Sequence, residues 1–301
     1  MRDDTRFREA KEKYEMTEEE LEDMYQRVKS TLFTGKTISP DGAIAIITGG
    51  QPGSGKSGLV IKSNCDLARR NRRPILLDVD DYRGYAKGAV QLAAEYPEYF
   101  SDITDISTGC VMRKLLEEAT LPNGYDVIFE GTLANQQIIN TIRKFGGTDY
   151  RIIARLMGTC REESLLSIFE RYLEKRKKVG VGRLTSIDAH DKRYDGFTRT
   201  AGELEKNGIE VEVYRRGMVP DKPLLLYRTR GKSNKYGSVL EALSAAREDS
   251  YRKMLRTAAA RLQSINDEIL SLGDDDDLSI ELNKLNKHFE TVLGRNQIPK
   301  L

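Results

Sequence analysis

Gly50-Gln51-Pro52-Gly53-Ser54-Gly55-Lys56-Ser57 fits the Walker A pattern, G-x-x-x-x-G-K-[ST]. Its glycines let backbone N–H groups turn inward around phosphate oxygens. Lys56 can reach the β and γ oxygens, and the Ser57 hydroxyl can bind Mg²⁺. The helix expected after this loop adds its positive end, so these eight residues read as a nucleotide-phosphate site. Further on stands Leu76-Leu77-Asp78-Val79-Asp80-Asp81. A carboxylate just past a strand end, Asp80, can accept a hydroxyl proton while that oxygen attacks a γ-phosphate. The other reading of Asp78, Asp80 and Asp81 is a polar loop or helix cap. In Phe129-Glu130-Gly131-Thr132, Glu130 can orient Mg²⁺-bound water, bind a substrate hydroxyl, or simply cap the next helix. Phosphoryl transfer also needs positive charge over the γ-phosphate. Arg171 and Arg183 are the candidates, with Gly180 and Gly182 as hinges of a lid. The basic run 175–178 reads as a solvated helix face, and His190 as a structural hydrogen-bonder.

These residues need elements to carry them. Residues 43–48 form an apolar run without alternation, as in parallel strands covered on both faces. Similar runs occupy 74–77 (followed by Asp78), 127–129 (followed by Glu130) and 151–157, with 211–214 a fifth strand and 224–227 a sixth. Helical stretches over 56–70, 86–119, 133–145, 161–178 and 188–206 alternate with them. That alternation predicts an α/β fold, a mostly parallel sheet covered by helices, with ligands beyond the carboxyl ends of the strands. The first 38 residues read as helix, with a capping box at Thr17 and Glu20. Near the other end, Leu255, Ala258, Leu262, Ile265, Ile269 and Leu272 form one helical seam, and Leu282, Leu285, Phe289 and Val292 a second. Between them lies 273–277, where four aspartates suit a turn at the start of the second helix. The expected division is a helical segment over 1–38, a P-loop kinase core over 39–235 and a C-terminal helical hairpin within 236–301.

The chain has 301 residues, with 49 Lys+Arg against 47 Asp+Glu and a formal charge of +2. That balance argues against a dedicated nucleic-acid binder, which carries a basic face. No apolar run is long enough to span a membrane, and the charged N-terminus does not read as a signal peptide. Three cysteines without a Cys-x-x-Cys suit reduced thiols and exclude a zinc ribbon, while two histidines leave little room for His-based metal chemistry. A cytoplasmic location is expected.

Taken together, the Walker A string, the Asp-x-Asp after the second strand, Glu-Gly-Thr after the third, and Glu-Arg-Tyr followed by an arginine about a dozen residues later resemble the zeta toxins. These are the kinase halves of epsilon/zeta toxin–antitoxin pairs. The resemblance spans roughly residues 40–217 and implies a P-loop kinase that uses ATP or GTP with Mg²⁺. The implied acceptor is the 3′-hydroxyl of the amino sugar in UDP-N-acetylglucosamine, whose loss starves cell-wall synthesis. By motif position, Gly50 to Ser57 hold the nucleotide phosphates and metal, and Asp80 is the general base. Glu130 and Thr132 contact substrate, and Arg171 and Arg183 neutralise charge. The implied partner is a small helical antitoxin, which the segments 1–38 or 240–295 could dock. Those segments could equally act in cis or cover the sheet. Two alternatives stay open: a P-loop kinase acting on another nucleotide sugar, a dinucleotide or an antibiotic, and a nucleotide-dependent binding module.

Overall fold

Ile-Ala-Ile-Ile-Thr-Gly has no polar alternation, so neither face of the strand it makes can point to water. In the computed structural model, which describes residues 4–39, 41–97, 99–120, 124–146, 150–179, 184–217, 222–231, 234–272 and 276–295, these six residues form β1 (Ile44–Gly49) and are all buried. The other strands are β2 (Ile75–Asp78), β3 (Val127–Glu130), β4 (Arg151–Met157), β5 (Glu210–Arg215) and β6 (Leu224–Arg228). They make one six-stranded sheet in the order β2-β3-β1-β4-β5-β6. β2 runs parallel to β3 and β4 parallel to β5, whereas β6 turns back antiparallel to β5. All six expected strands are present, and the sheet is mostly parallel. The helices are α1 (Asp4–Tyr14), α2 (Glu18–Phe33), α3 (Ser57–Ala68), α4 (Val79–Tyr82), α5 (Ala89–Glu95), α6 (Phe100–Thr120), α7 (Gln137–Gly146), α8 (Arg161–Val179), α9 (Ile187–Lys206), α10 (Val239–Leu255), α11 (Ala258–Ser271) and α12 (Asp276–Arg295). Among the described residues, no helix is long and apolar enough to cross a membrane.

Four helix expectations need correction. The stretch 86–119 is two helices, because Pro97 lacks an N–H and drives Tyr96 out of helical geometry (φ −137°, ψ 56°). The helix expected from 133 starts only at Gln137; Leu133 sits in the left-handed region at φ 50°, which a helix cannot include. The seam 255–272 is interrupted after Leu255, so it is shared between α10 and α11. The N-terminal stretch is likewise two helices, and the capping box at Thr17 and Glu20 starts the second.

Two compact units can be distinguished. The first comprises 1–47, 63–130 and 137–152. There α1 packs Ala10 and Tyr14 against Leu92, Tyr99 and Ile103, and α2 buries Met24, Tyr25 and Val28. Asp126, 2% exposed, ties the start of β1 to the start of β3. Its carboxylate accepts from the Ile44 N–H (2.8 Å), the Ser39 hydroxyl (2.6 Å) and Arg72 Nη1 (2.8 Å).

The second unit comprises 48–62, 131–136 and 153–301. Its helical core joins Leu165, Phe169, Tyr172 and Leu173 of α8 to Ile265 and Ile269 of α11 and Leu282, Leu285 and Phe289 of α12. Most of both C-terminal seams is thus gathered into one core with the chain's own α8, while Leu272 stays exposed. Across the strands, Glu212 of β5 pairs with Arg155 of β4 (2.8 Å) and Arg228 of β6 (2.5 Å), and accepts from Tyr214 Oη (2.6 Å). Burial alone would raise the Glu212 pKa. Arg155, the Tyr214 hydroxyl and Arg228 outweigh it, and the net shift is downward.

Asp126→Ala leaves the Ile44 N–H without its acceptor and Arg72 without its counter-charge, and is expected to cost about 3 kcal/mol, seen as a Tm lowered by several degrees. Glu212→Gln should cost about as much at neutral pH, because it removes the buried charge that faces both Arg155 and Arg228. A depressed folded pKa stabilises above the unfolded value and is lost as pH falls through the folded one. Thermal scans from pH 7 to 3 should therefore show the wild type converging on Glu212→Gln below about pH 4. Parallel curves throughout would contradict the role given to this carboxylate.

Candidate functional site

A loop of Gly, Pro and Ser has almost no side chain with which to hold itself, so its surroundings must fix it. Gly53 and Gly55 adopt φ 76° and 90°, which side-chain-bearing residues rarely reach. At Gly53 a Cβ would also come within 2.2 Å of the Ser164 carbonyl oxygen of α8. The loop thus rests directly on the first turn of that helix. Gln51, fully buried, donates from Nε2 to the Thr159 carbonyl (2.9 Å) and to Ser164 Oγ (3.1 Å). Thr159 returns a bond from its hydroxyl to the Ser54 carbonyl (2.7 Å). Lys56 Nζ folds back to the Gln51 carbonyl (3.2 Å), and the Gly50 N–H donates to the Thr132 carbonyl (3.3 Å). Ser57 opens α3 and is exposed, so its hydroxyl stands at the helix N-terminus. Ser54 Oγ is buried without a hydrogen-bond partner among the described residues. An orphaned hydroxyl inside a glycine loop fits a site built to receive phosphate oxygens.

Arg216, just past β5, was not singled out from the sequence. Its Nε would lie 3.0 Å from a Cβ on Gly55, so the guanidinium lies against the loop. Glu163 (2.5 Å) and Ser167 (3.2 Å) of α8 hold it there. The available signal was a pair of arginines at a strand's carboxyl end. Glu163 also pairs with Arg261 of α11 (2.6 Å), which binds Glu170 through Nε (2.6 Å) and Nη2 (2.7 Å). Arg171 lies on α8 between buried Phe169 and Tyr172 but on the opposite face, and is exposed. Arg183, Gly180 and Gly182 lie outside the described residues, as do Asp274 and Asp275 of the acidic turn.

Asp80 and Glu130 belong to the other unit. β2 ends at Asp78, whose Oδ1 accepts from the Asp80 N–H (2.9 Å) and caps α4. The cap reading is therefore right for Asp78, while Asp80 stands in the first turn of that short helix. Arg83 Nε binds Asp80 Oδ1 (2.8 Å). The same guanidinium is anchored on α6 by Ser101 O (3.1 Å), Thr104 Oγ1 (2.7 Å) and Asp105 Oδ1 (2.5 Å). Arg83 is 10% exposed and Asp80 66%, so a buried cation presents an accessible carboxylate. The i, i+3 spacing of Asp80 and Arg83 was the available signal. Glu130 closes β3 in register with Asp78, which sets two acids side by side at adjacent carboxyl ends. Thr132 lies in the loop beyond β3 and is half-buried.

His190 is fully buried and lies 2.8 Å from Ser164 Oγ and 2.9 Å from Asp191 Oδ1, as expected of a structural hydrogen-bonder. Burial lowers its pKa, against the opposing pull of Asp191. Burial pushes the Cys160 thiol up to about 11, so that cysteine is no thiolate nucleophile at neutral pH. Among the described residues no cluster of three or more His, Cys, Asp or Glu is gathered to hold a metal. Ser57, with phosphate oxygens and water, is instead the kind of sparse oxygen set that Mg²⁺ takes.

A protein related over 210 residues, Toxin zeta of Streptococcus agalactiae, is 23% identical, covering 67% of this chain and 70% of its own. A solved structure from the characterization of the PezAT chromosomal toxin–antitoxin system of Streptococcus pneumoniae superposes with a TM-score of 0.67 at 22% identity. It covers 84% of this chain and 98% of its own, and shows the same fold. The Zeta toxin family model matches residues 29–231. The chain belongs to the zeta toxin family, a membership that supports a toxin kinase function.

Proposed function

We propose that this protein transfers the γ-phosphoryl group of ATP or GTP to the 3′-hydroxyl of the sugar in UDP-N-acetylglucosamine, and so blocks cell-wall synthesis. The observation that carries the reading is the phosphate loop: glycines at positive φ, a helix opening at Ser57, and the orphaned hydroxyl of Ser54. In this reading Gly50 to Ser57 receive the nucleotide phosphates. Lys56 neutralises the β and γ oxygens, and Ser57 contributes to the Mg²⁺ site. When bound, Mg²⁺ would offset charge between the two phosphates. Asp80 takes the proton from the attacking hydroxyl, held by Arg83 in an orientation that leaves it accessible. An ordinary carboxylate suffices, since that proton becomes acidic only late in transfer. Glu130 and Thr132 bind the acceptor, and Arg171 and Arg183 cover the developing charge. The catalytic part lies within 39–235, with 1–38 and 236–301 as helical additions.

The toxin–antitoxin setting of the structural relative supports an antitoxin as partner, in our reading a small helical protein. Ile265 and Ile269 of α11 and Leu282, Leu285 and Phe289 of α12 are buried in one core with α8, which leaves those side chains unavailable to dock it. A cytoplasmic location follows from the proposed substrate.

Mass spectrometry of the purified protein with Mg-ATP or Mg-GTP, against a panel of UDP-sugars, NAD, aminoglycosides and buffer alone, tests the reading. UDP-N-acetylglucosamine should gain one phosphoryl group. A product on another acceptor alone would replace the substrate and keep the kinase. Slow nucleotide hydrolysis with no product would favour a binding module. Asp80→Asn should lower kcat by about 10²–10⁴-fold with nucleotide affinity unchanged, and Lys56→Ala should weaken both. Arg83→Gln frees the base without removing it, and a kcat lower by up to about 10²-fold at unchanged nucleotide KM is expected. An Arg83 variant with wild-type kcat would remove that residue from the mechanism.

A further inference from the structure

Gln51 is a buried amide in a loop otherwise made of small residues, and its two N–H groups are both used, on Thr159 O and Ser164 Oγ. Ser164 is itself buried and reaches three acceptors: Cys160 O (3.0 Å), Arg161 O (2.9 Å) and His190 Nε2 (2.8 Å). Asp191, an ionised carboxylate, can only accept, so the proton between it and His190 sits on Nδ1 (2.9 Å). His190 is neutral, since burial lowers its pKa, and Nε2 is then a bare acceptor. Among the described residues only Ser164 stands within reach of that nitrogen, and a buried imidazole nitrogen left unpaired is costly. The hydroxyl proton therefore goes to His190, and the bonds run in one direction: Gln51 to Ser164 to His190 to Asp191. Arg161 closes the series with a two-pronged pair to Asp191 (2.8 and 2.5 Å) and lies 2.9 Å from His288 Nε2 of α12. The order Ser-His-Asp is that of a hydrolase triad, yet neither Ser164 nor His190 has exposed surface, so no acyl carbon can reach Oγ.

We propose that Ser164 and His190 are positioning residues for the phosphate loop, holding the Gln51 amide and through it the loop backbone in its phosphate-receiving shape. The proposal rests on the phosphate-binding reading of that loop. It assigns the series of bonds a task at the nucleotide site, though none of its members beyond Gln51 belongs to the loop. His288 extends the same support to the C-terminal helices.

The test uses the full-length chain as wild type, Ser164→Ala, His190→Asn and His190→Gln. Asparagine can keep the bond to Asp191 but not reach Ser164, whereas the glutamine amide oxygen can take the Ser164 proton. Hydrogen–deuterium exchange over residues 49–57 and titration with Mg-ATP and Mg-GTP are read beside Tm. Ser164→Ala and His190→Asn should each exchange faster across the loop and bind nucleotide about tenfold more weakly, a change of about 1.4 kcal/mol. His190→Gln should recover most of both. Unchanged exchange and affinity in Ser164→Ala and His190→Asn would overturn the proposal. So would equal losses in the asparagine and glutamine variants that follow Tm alone. Should Ser164→Ala fail to fold, the two His190 variants decide. Should the wild type bind neither nucleotide, the phosphate-binding reading falls, and the exchange data alone still decide whether the loop is braced.

Discussion

The close seat of Gly53 on the Ser164 carbonyl is the contact from which the rest of the glycine loop's unit follows. A loop that turns N–H groups inward has few left to hold itself, here Gly50 to Thr132 O and Ser54 to Gln51 O, and its glycines give up the side chains that might have done so. Its shape is borrowed from a rigid neighbour, the first turn of α8. Two bonds from Gln51 and one from Thr159 repeat the constraint within a few residues. Backbone contact sets the distance, and the buried amide sets the direction.

That makes α8 the organising helix of its unit. One face meets the loop through Ser164, another buries Phe169, Tyr172 and Leu173 among the C-terminal helices, and Arg171 is left outward. Glu163 and Glu170 tie Arg261 of α11 to the same helix, and Glu163 also secures Arg216 beside the loop. The C-terminal helices are thus part of the support beneath the site. In the other unit the logic repeats on a smaller scale. Asp78 caps α4, α6 anchors Arg83, and Arg83 fixes Asp80 without enclosing it.

The glycine loop was legible because its demands are local: glycine torsions, a lysine and a serine at fixed spacing, and a helix beginning at once. The same holds for the Thr17 capping box and for strands that read as unbroken apolar runs. Pro97 carried its own warning of a helix break, but Leu133 did not, since nothing in a leucine announces a left-handed backbone. What stayed hidden is what packing brings together from a distance. Ser164 and His190 lie 26 positions apart, and Glu163 and Arg261 lie 98 apart. Asp80 could be read from the sequence as standing just past a strand end. That a buried arginine holds it could not, because Arg83 becomes buried only when α6 closes over it.

The Arg155–Glu212–Arg228 ladder has a consequence for the margin of the sheet. β6 is an edge strand, and Leu224 and Leu225 on it are exposed, the combination that invites another chain to add itself. Side chains alternate sides along a strand, so a slip of one residue would carry Arg228 to the opposite face and leave Glu212 with Arg155 as its one remaining counter-charge of the pair. The buried carboxylate therefore acts as a register lock, making misalignment costly where backbone bonding alone would tolerate it. Acid that discharges Glu212 weakens that lock beside the exposed leucines.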